Sequence, residues 1–94
     1  MPEYRLSNKA RADLRDIARY TFETWGIDQA RRYNDDMLKC FQMIADSRLI
    51  GGPRDKLQAG YHRLEHGRHV VFYRSDKKGV LIGRILHQRM MPSL

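Results

Sequence analysis

Tyr61-His62-Arg63-Leu64-Glu65-His66-Gly67-Arg68-His69-Val70-Val71-Phe72-Tyr73-Arg74 decides the fold of this 94-residue chain. The apolar period here is two, as in half-buried strands, whereas the chain before Gly51 keeps a spacing of three or four. Tyr61–His66 reads as one strand, His66-Gly67 as a tight turn and Arg68–Arg74 as a second strand. Ser75-Asp76-Lys77-Lys78-Gly79 then reads as a longer hairpin loop. Val80–His87 is a third strand, the most apolar of the set and therefore expected at the centre of a sheet.

Working back toward the start, Gly51-Gly52-Pro53 ends helical structure and opens a polar loop to about Gly60. Before it, Ala30, Tyr33, Met37, Cys40 or Phe41, and Ile44 form the stripe of a helix capped by Asp28 and running to about Ser47. Ala10, Leu14, Ile17, Thr21 and Trp25 make an earlier amphipathic helix, N-capped by Ser7 and closed by Gly26. So short a connection makes the two helices antiparallel neighbours. Tyr4-Arg5-Leu6 alternates and reads as a short first strand. The order is β-α-α-β-β-β, an α+β fold with an antiparallel helical hairpin on one face of a mainly antiparallel sheet. Val70 and Phe72 are expected to meet the helices, which leaves an open, basic face carrying Arg63, His69 and Tyr73.

At 11.2 kDa the chain has room for one core, so one domain spans residues 1–94. Its longest apolar run, Val70-Val71-Phe72-Tyr73, is far short of a membrane span. Met1-Pro2-Glu3-Tyr4-Arg5 lacks the apolar core of a signal peptide. The lone Cys40 excludes an internal disulfide and a cysteine-based zinc cluster, and a cytoplasmic location is expected. Residues 1–47 carry eight Lys/Arg and eight Asp/Glu, whereas residues 48–94 carry ten against three, so the second half holds the whole net charge of +7. That asymmetry points to an acidic or polyanionic partner for the C-terminal half.

Several chemistries drop out. Gly51-Gly52 is not followed by the Lys-Ser/Thr of a phosphate loop. Asp13 and Asp16, like Asp35 and Asp36, sit among arginines on helix surfaces and read as solvated ion pairs. Cys40 lies on the apolar stripe and reads as core. His62 and His66 are separated by four along a strand, which does not converge them on a metal. A plain nucleic-acid module is allowed by charge but shows no helix-turn-helix and no aromatics interleaved with basic residues. The ending Arg84-Ile85-Leu86-His87-Gln88-Arg89-Met90-Met91-Pro92 is the most informative segment. Its imidazole, amide and guanidinium could bind phosphate, act as acid and base on RNA, or grip an acidic protein surface. The two methionines beyond Arg89 favour contact with a protein.

Arg84-Ile85-Leu86-His87-Gln88-Arg89-Met90 resembles the C-terminal signature of ParE toxins, within the RelE/ParE superfamily of bacterial type II toxin–antitoxin systems. Ala12-Asp13-Leu14-Arg15-Asp16-Ile17 is similar to the family's first-helix pattern. Gly60-Tyr61-His62-Arg63-Leu64 and His69-Val70-Val71-Phe72-Tyr73-Arg74 resemble its two following strands. The resemblance covers nearly the whole chain. It implies a toxin that poisons DNA gyrase by trapping the cleaved-DNA state, performing no chemistry itself and needing no cofactor. It also implies neutralisation by a ParD-like antitoxin with an acidic C-terminal tail, through which alone the toxin would meet operator DNA, and no contact with a membrane.

Arg68, His69, Tyr73, Arg84, His87, Arg89 and Met90 are expected to border the target-facing region. Leu14, Tyr20, Trp25, Tyr33 and Met37 are expected to meet the antitoxin on a separate surface. The rival within the superfamily is a RelE-like ribosome-dependent mRNA endonuclease. That rival places an arginine near His69 or Val70 and a tyrosine just after Arg89, where this chain has Met90-Met91-Pro92.

Overall fold

A computed structural model describes residues 3–47 and 60–90, with the side chains of Ser47 and Met90 outside the description. The expected polar loop from Gly51 to Gly60 lies almost wholly outside the described residues. The elements are β1 (Tyr4–Leu6), α1 (Asn8–Trp25), α2 (Ile27–Ser47), β2 (His62–His66), β3 (His69–Asp76), β4 (Gly79–His87) and a 3-10 turn (Gln88–Met90). The β-α-α-β-β-β order and the α+β class stand as read from the sequence.

Ser7 starts α1 by accepting a hydrogen bond from the Ala10 N–H on its hydroxyl at 3.0 Å. Gly26, at φ +92, is the only residue between the helices. Its N–H donates to Phe22 O at 2.9 Å and its carbonyl accepts from Ala30 N at 3.1 Å, so one residue ends α1 and opens α2. Asp28 is therefore not the cap expected; it stands in the first turn of α2, where its carboxylate suits the helix dipole.

The sheet order is β1-β4-β3-β2, with β1 parallel to β4 and the other pairs antiparallel. The expected long loop at 75–79 is a two-residue Lys77-Lys78 turn, because both flanking strands run further than their apolar residues do. The β2–β3 turn is Gly67-Arg68, which puts Leu64 opposite Val71 and His66 opposite His69. That register corrects the expected faces. Val71 and Tyr73, both fully buried, pack in the core with Leu64 against it, and Phe72 points the other way beside Arg63. His69 also lies on the helix side, against Tyr33 of α2. The opposite face is still basic, through Arg63 and Arg74, but it does not carry His69 or Tyr73.

Faces on β4 resisted a period-two reading because the strand is bulged. Phe72 pairs with Arg84 and Tyr73 with Ile82, so Gly83 is skipped. Ile82 and Ile85, three apart, can thereby both enter the core with Met37, Phe41 and Ile44 of α2. Only glycine fits at the bulge: a Cβ on Gly83 would lie 2.5 Å from the Tyr61 ring.

Beyond Leu6, β1 no longer covers β4, and α1 takes over its bare edge. Ser7 donates its N–H to Ile82 O at 3.0 Å and its hydroxyl to Gly83 O at 2.7 Å. Asp13 accepts from Ile85 N at 3.0 Å and from Arg84 Nε at 2.8 Å. Asp13 is thus no solvated surface charge; it occupies the place of a missing strand. Cys40 is buried as expected, and burial pushes its thiol pKa up.

Candidate functional site

The helical hairpin and the β2–β3 turn meet at one end of the molecule through Tyr33. Its hydroxyl lies 2.6 Å from His69 Nδ1 and accepts the Arg68 N–H at 3.3 Å. With the hydroxyl proton given to Nδ1, the neutral imidazole carries its own proton on Nε2. The turn itself requires Gly67: φ is +59, and a Cβ there would meet the Tyr33 hydroxyl at 2.8 Å. Burial, followed by the nearby His87 and His66, lowers the His69 pKa to about 4. Burial raises the pKa of Tyr33, opposed by its contacts with Arg68.

The C-terminal 3-10 turn is tied to the same place. Gln88 N donates to Arg68 O at 3.0 Å, and Arg89 N donates to His87 Nδ1 at 3.1 Å. The His87 ring stands edge-on to His69, centroids 5.3 Å apart. Arg68 and Arg89 are therefore held on adjoining turns, both exposed, and neither forms an ion pair among the described residues. The Arg68 guanidinium stands 5.9 Å from the centroid of the Trp25 ring. Trp25 is 57% exposed and Tyr20 60%, high values for side chains of this size.

These groups line two adjoining hollows. One runs between Tyr20, Trp25, Tyr33, Arg68 and His87. The other follows β4 past Asp16, Leu86 and Arg89. Tyr20, His69 and His87 line both, so the hollows form one cleft, cationic at the turns, aromatic along α1 and acidic at Asp13 and Asp16.

Of the target-facing residues expected from sequence, the structure brings Arg68, His87 and Arg89 together at an accessible surface, with His69 beneath them. Tyr73 is core, stacked on His62 with centroids 5.4 Å apart, because the register turns it inward. Arg84 is bound to Asp13 at the β4 edge, which raises its pKa. Met90 closes the 3-10 turn, its side chain outside the described residues. Of the antitoxin-facing residues, Tyr20 and Trp25 are exposed in the same cleft, and Leu14 packs half-buried against the core. Met37 is fully buried on the sheet side of α2 and offers no surface. Tyr33 shapes the cleft from within. The exposed members of the two expected sets, Arg68, His87 and Arg89 on one side and Tyr20 and Trp25 on the other, adjoin in space.

Asp13 and Gly67 escaped the sequence reading. A glycine between His66 and Arg68 signalled a turn but not the tyrosine packed over it. Nothing in the spacing around Asp13 announced that a helix would substitute for a strand. Among the described residues, no group of three or more His, Cys, Asp or Glu could hold a metal ion. None of the described helices is long and apolar enough to cross a membrane.

A family model described as the ParE toxin of the type II toxin–antitoxin system parDE matches residues 4–92. The chain belongs to the ParE toxin family. The ParE1 toxin of Caulobacter vibrioides is 44% identical over 90 residues, covering 96% of this chain and 93% of that protein. The ParE1 toxin of Mycobacterium tuberculosis is 38% identical, covering 93% and 90%. The ParE toxin of Escherichia coli is 37% identical, covering 96% and 88%. A solved chain of the chromosomal ParDE system from P. aeruginosa superposes with a TM-score of 0.77 over 93% of this chain and 96% of that one, at 22% identity. That likeness shows the shared fold, two helices on a four-stranded mixed sheet.

Proposed function

We propose that this ParE-family toxin binds DNA gyrase and stabilises its cleaved-DNA state, and that a ParD-like antitoxin with an acidic C-terminal tail neutralises it. The cleft is the observation that carries this reading. Arg68 and Arg89 stand exposed and without ion pairs among the described residues, next to the exposed rings of Tyr20 and Trp25. Free cations beside exposed aromatics suit a protein partner of opposite charge, because charge complementarity speeds encounter and aromatics anchor the contact. Binding one state of a target better than another shifts that target's equilibrium without chemistry. On this reading the toxin is not an enzyme, needs no cofactor, acts in the cytoplasm and meets operator DNA only through its antitoxin.

His69, with Nδ1 engaged by Tyr33 and the residue 9% exposed, is poorly placed as a general base acting on RNA, so the RelE-like alternative would rest on His87 and Arg89. The test is a supercoiling and cleavage reaction with purified gyrase, ATP and plasmid, run with toxin alone and with its antitoxin. Linear or nicked DNA that accumulates with toxin and vanishes with antitoxin is the expected result. Unimpaired gyrase together with ribosome-dependent mRNA cleavage would replace this reading by the RelE-like one.

A further inference from the structure

Among the described residues, β2 has a neighbouring strand on one side alone, so it forms an edge of the sheet. The opposite edge, β1, has three residues and gives way to α1 at Ser7. The β2–β3 turn closes on His66 opposite His69, a hydrogen-bonded pair. Alternation then turns the backbone groups of His62, Leu64 and His66 toward β3, and those of Arg63 and Glu65 outward. An outward row of N–H and C=O groups is a template for another strand.

The strand that fits this template is β2 itself. His62-Arg63-Leu64-Glu65-His66 reads the same from either end, except that arginine and glutamate exchange places. Consider a second copy laid antiparallel, with a two-fold axis between the two Leu64 residues. Each Arg63 then lies opposite the Glu65 of the other copy, and those are the residues whose backbone groups point outward. Their side chains stand on the sheet face away from the helices, where they already approach within one strand at 3.5 Å. On the helix side, half-buried Leu64 meets its twin in a close pair, about 4.5 Å between Cα atoms, and joins the two cores. Sliding the copies by two residues sets Arg63 opposite Arg63, or Glu65 opposite Glu65. Like charges directly opposite are destabilising, so the charges select one register.

We infer that two copies of this chain pair through β2 in that register, forming a symmetric dimer with one sheet continuous through both. The contact is self-complementary, as a two-fold interface must be. With five residues on each side it is small, so the dimer should form and dissociate across the micromolar range. It uses neither gyrase nor antitoxin and stands apart from the proposed function.

The experiment is sedimentation of the purified full chain at rising concentration, with amide exchange of the same samples followed by NMR. Mass should climb from monomer to dimer, while exchange slows at the Arg63 and Glu65 amides. Arg63→Glu and Glu65→Arg each place like charges opposite and should weaken self-association by about tenfold or more. Mixed together, these two variants should pair with each other, and the double variant Arg63→Glu/Glu65→Arg should dimerise like wild type. Thermal unfolding checks that each is folded. The exchange measurement needs no variant, so it decides the matter even where a reversal prevents folding. A monomer at every concentration would overturn the inference. So would a dimer indifferent to both reversals, or folded reversal variants that ignore each other when mixed. Protection of the Arg63 and Glu65 amides that appears only on adding antitoxin would give this edge to the antitoxin instead.

Discussion

The edge of β4 and the hairpin-end cleft are both built where α1 meets the end of the sheet, and both contain arginines, yet they differ in what is left unsatisfied. At the β4 edge, Asp13 meets Arg84 Nε and the Ile85 N–H, and Ser7 meets Ile82 O and Gly83 O. The two charges there, Asp13 and Arg84, are each other's partners. In the cleft, the partners of Tyr33 and His69 are internal, whereas Arg68 and Arg89 point out without ion pairs among the described residues. Charge that is used up holds a fold together; charge left over is available to another molecule. Arg84 and Arg68 are indistinguishable by residue type and are separated only by this difference.

The comparison breaks most readily inside the molecule. Met37→Ala would leave a cavity against the sheet and should cost about 2–5 kcal/mol in denaturant unfolding, without a direct loss of antitoxin contact. Normal stability with lost antitoxin binding would return Met37 to the surface. Asp13→Ala would strand the Ile85 N–H and the Arg84 guanidinium. It should cost about 2–3 kcal/mol in the same unfolding measurement.

Acid sharpens the contrast between the buried and exposed members of the cleft. The unfolded chain takes a proton on His69 below about 6.5, whereas the folded ring resists until about 4. Stability from this site is therefore full above the unfolded value and falls as pH drops through that window, by about 1–3 kcal/mol. His69→Phe should flatten the slope; an unchanged slope would assign it to other groups. At the small end, Arg68→Ala and Arg89→Ala, exposed and without ion pairs, should each move stability by less than about 0.5 kcal/mol.

Much of this architecture was legible in local chemistry. Ser7 and Gly26 bound α1 where capping rules place its ends, and the α2 stripe is buried as its spacing requires. Sheet faces were harder, because β3 offers apolar residues on both sides, Val70 and Phe72 on one and Val71 and Tyr73 on the other, and only packing against the helices decides which set is core. The bulge at Gly83 compounds this, since it depends on Tyr61 packed across the strand. Tyr73 was misplaced for that reason, and its phenol gave it a polar look that burial does not honour. The site was legible as a set of residue types but not as a place. Trp25 and Tyr20 come from α1, Arg68 from a turn, and His87 and Arg89 from the chain's end. No sequence interval records that they adjoin, nor that Arg84 is already taken.

The most direct measurement is gyrase-mediated plasmid cleavage by the Arg68→Ala/Arg89→Ala double variant beside the wild-type chain, with thermal unfolding followed on the same samples. A cleft that serves as the functional surface predicts unchanged unfolding and loss of linear DNA. Full accumulation of linear DNA by a double variant as stable as wild type would contradict it.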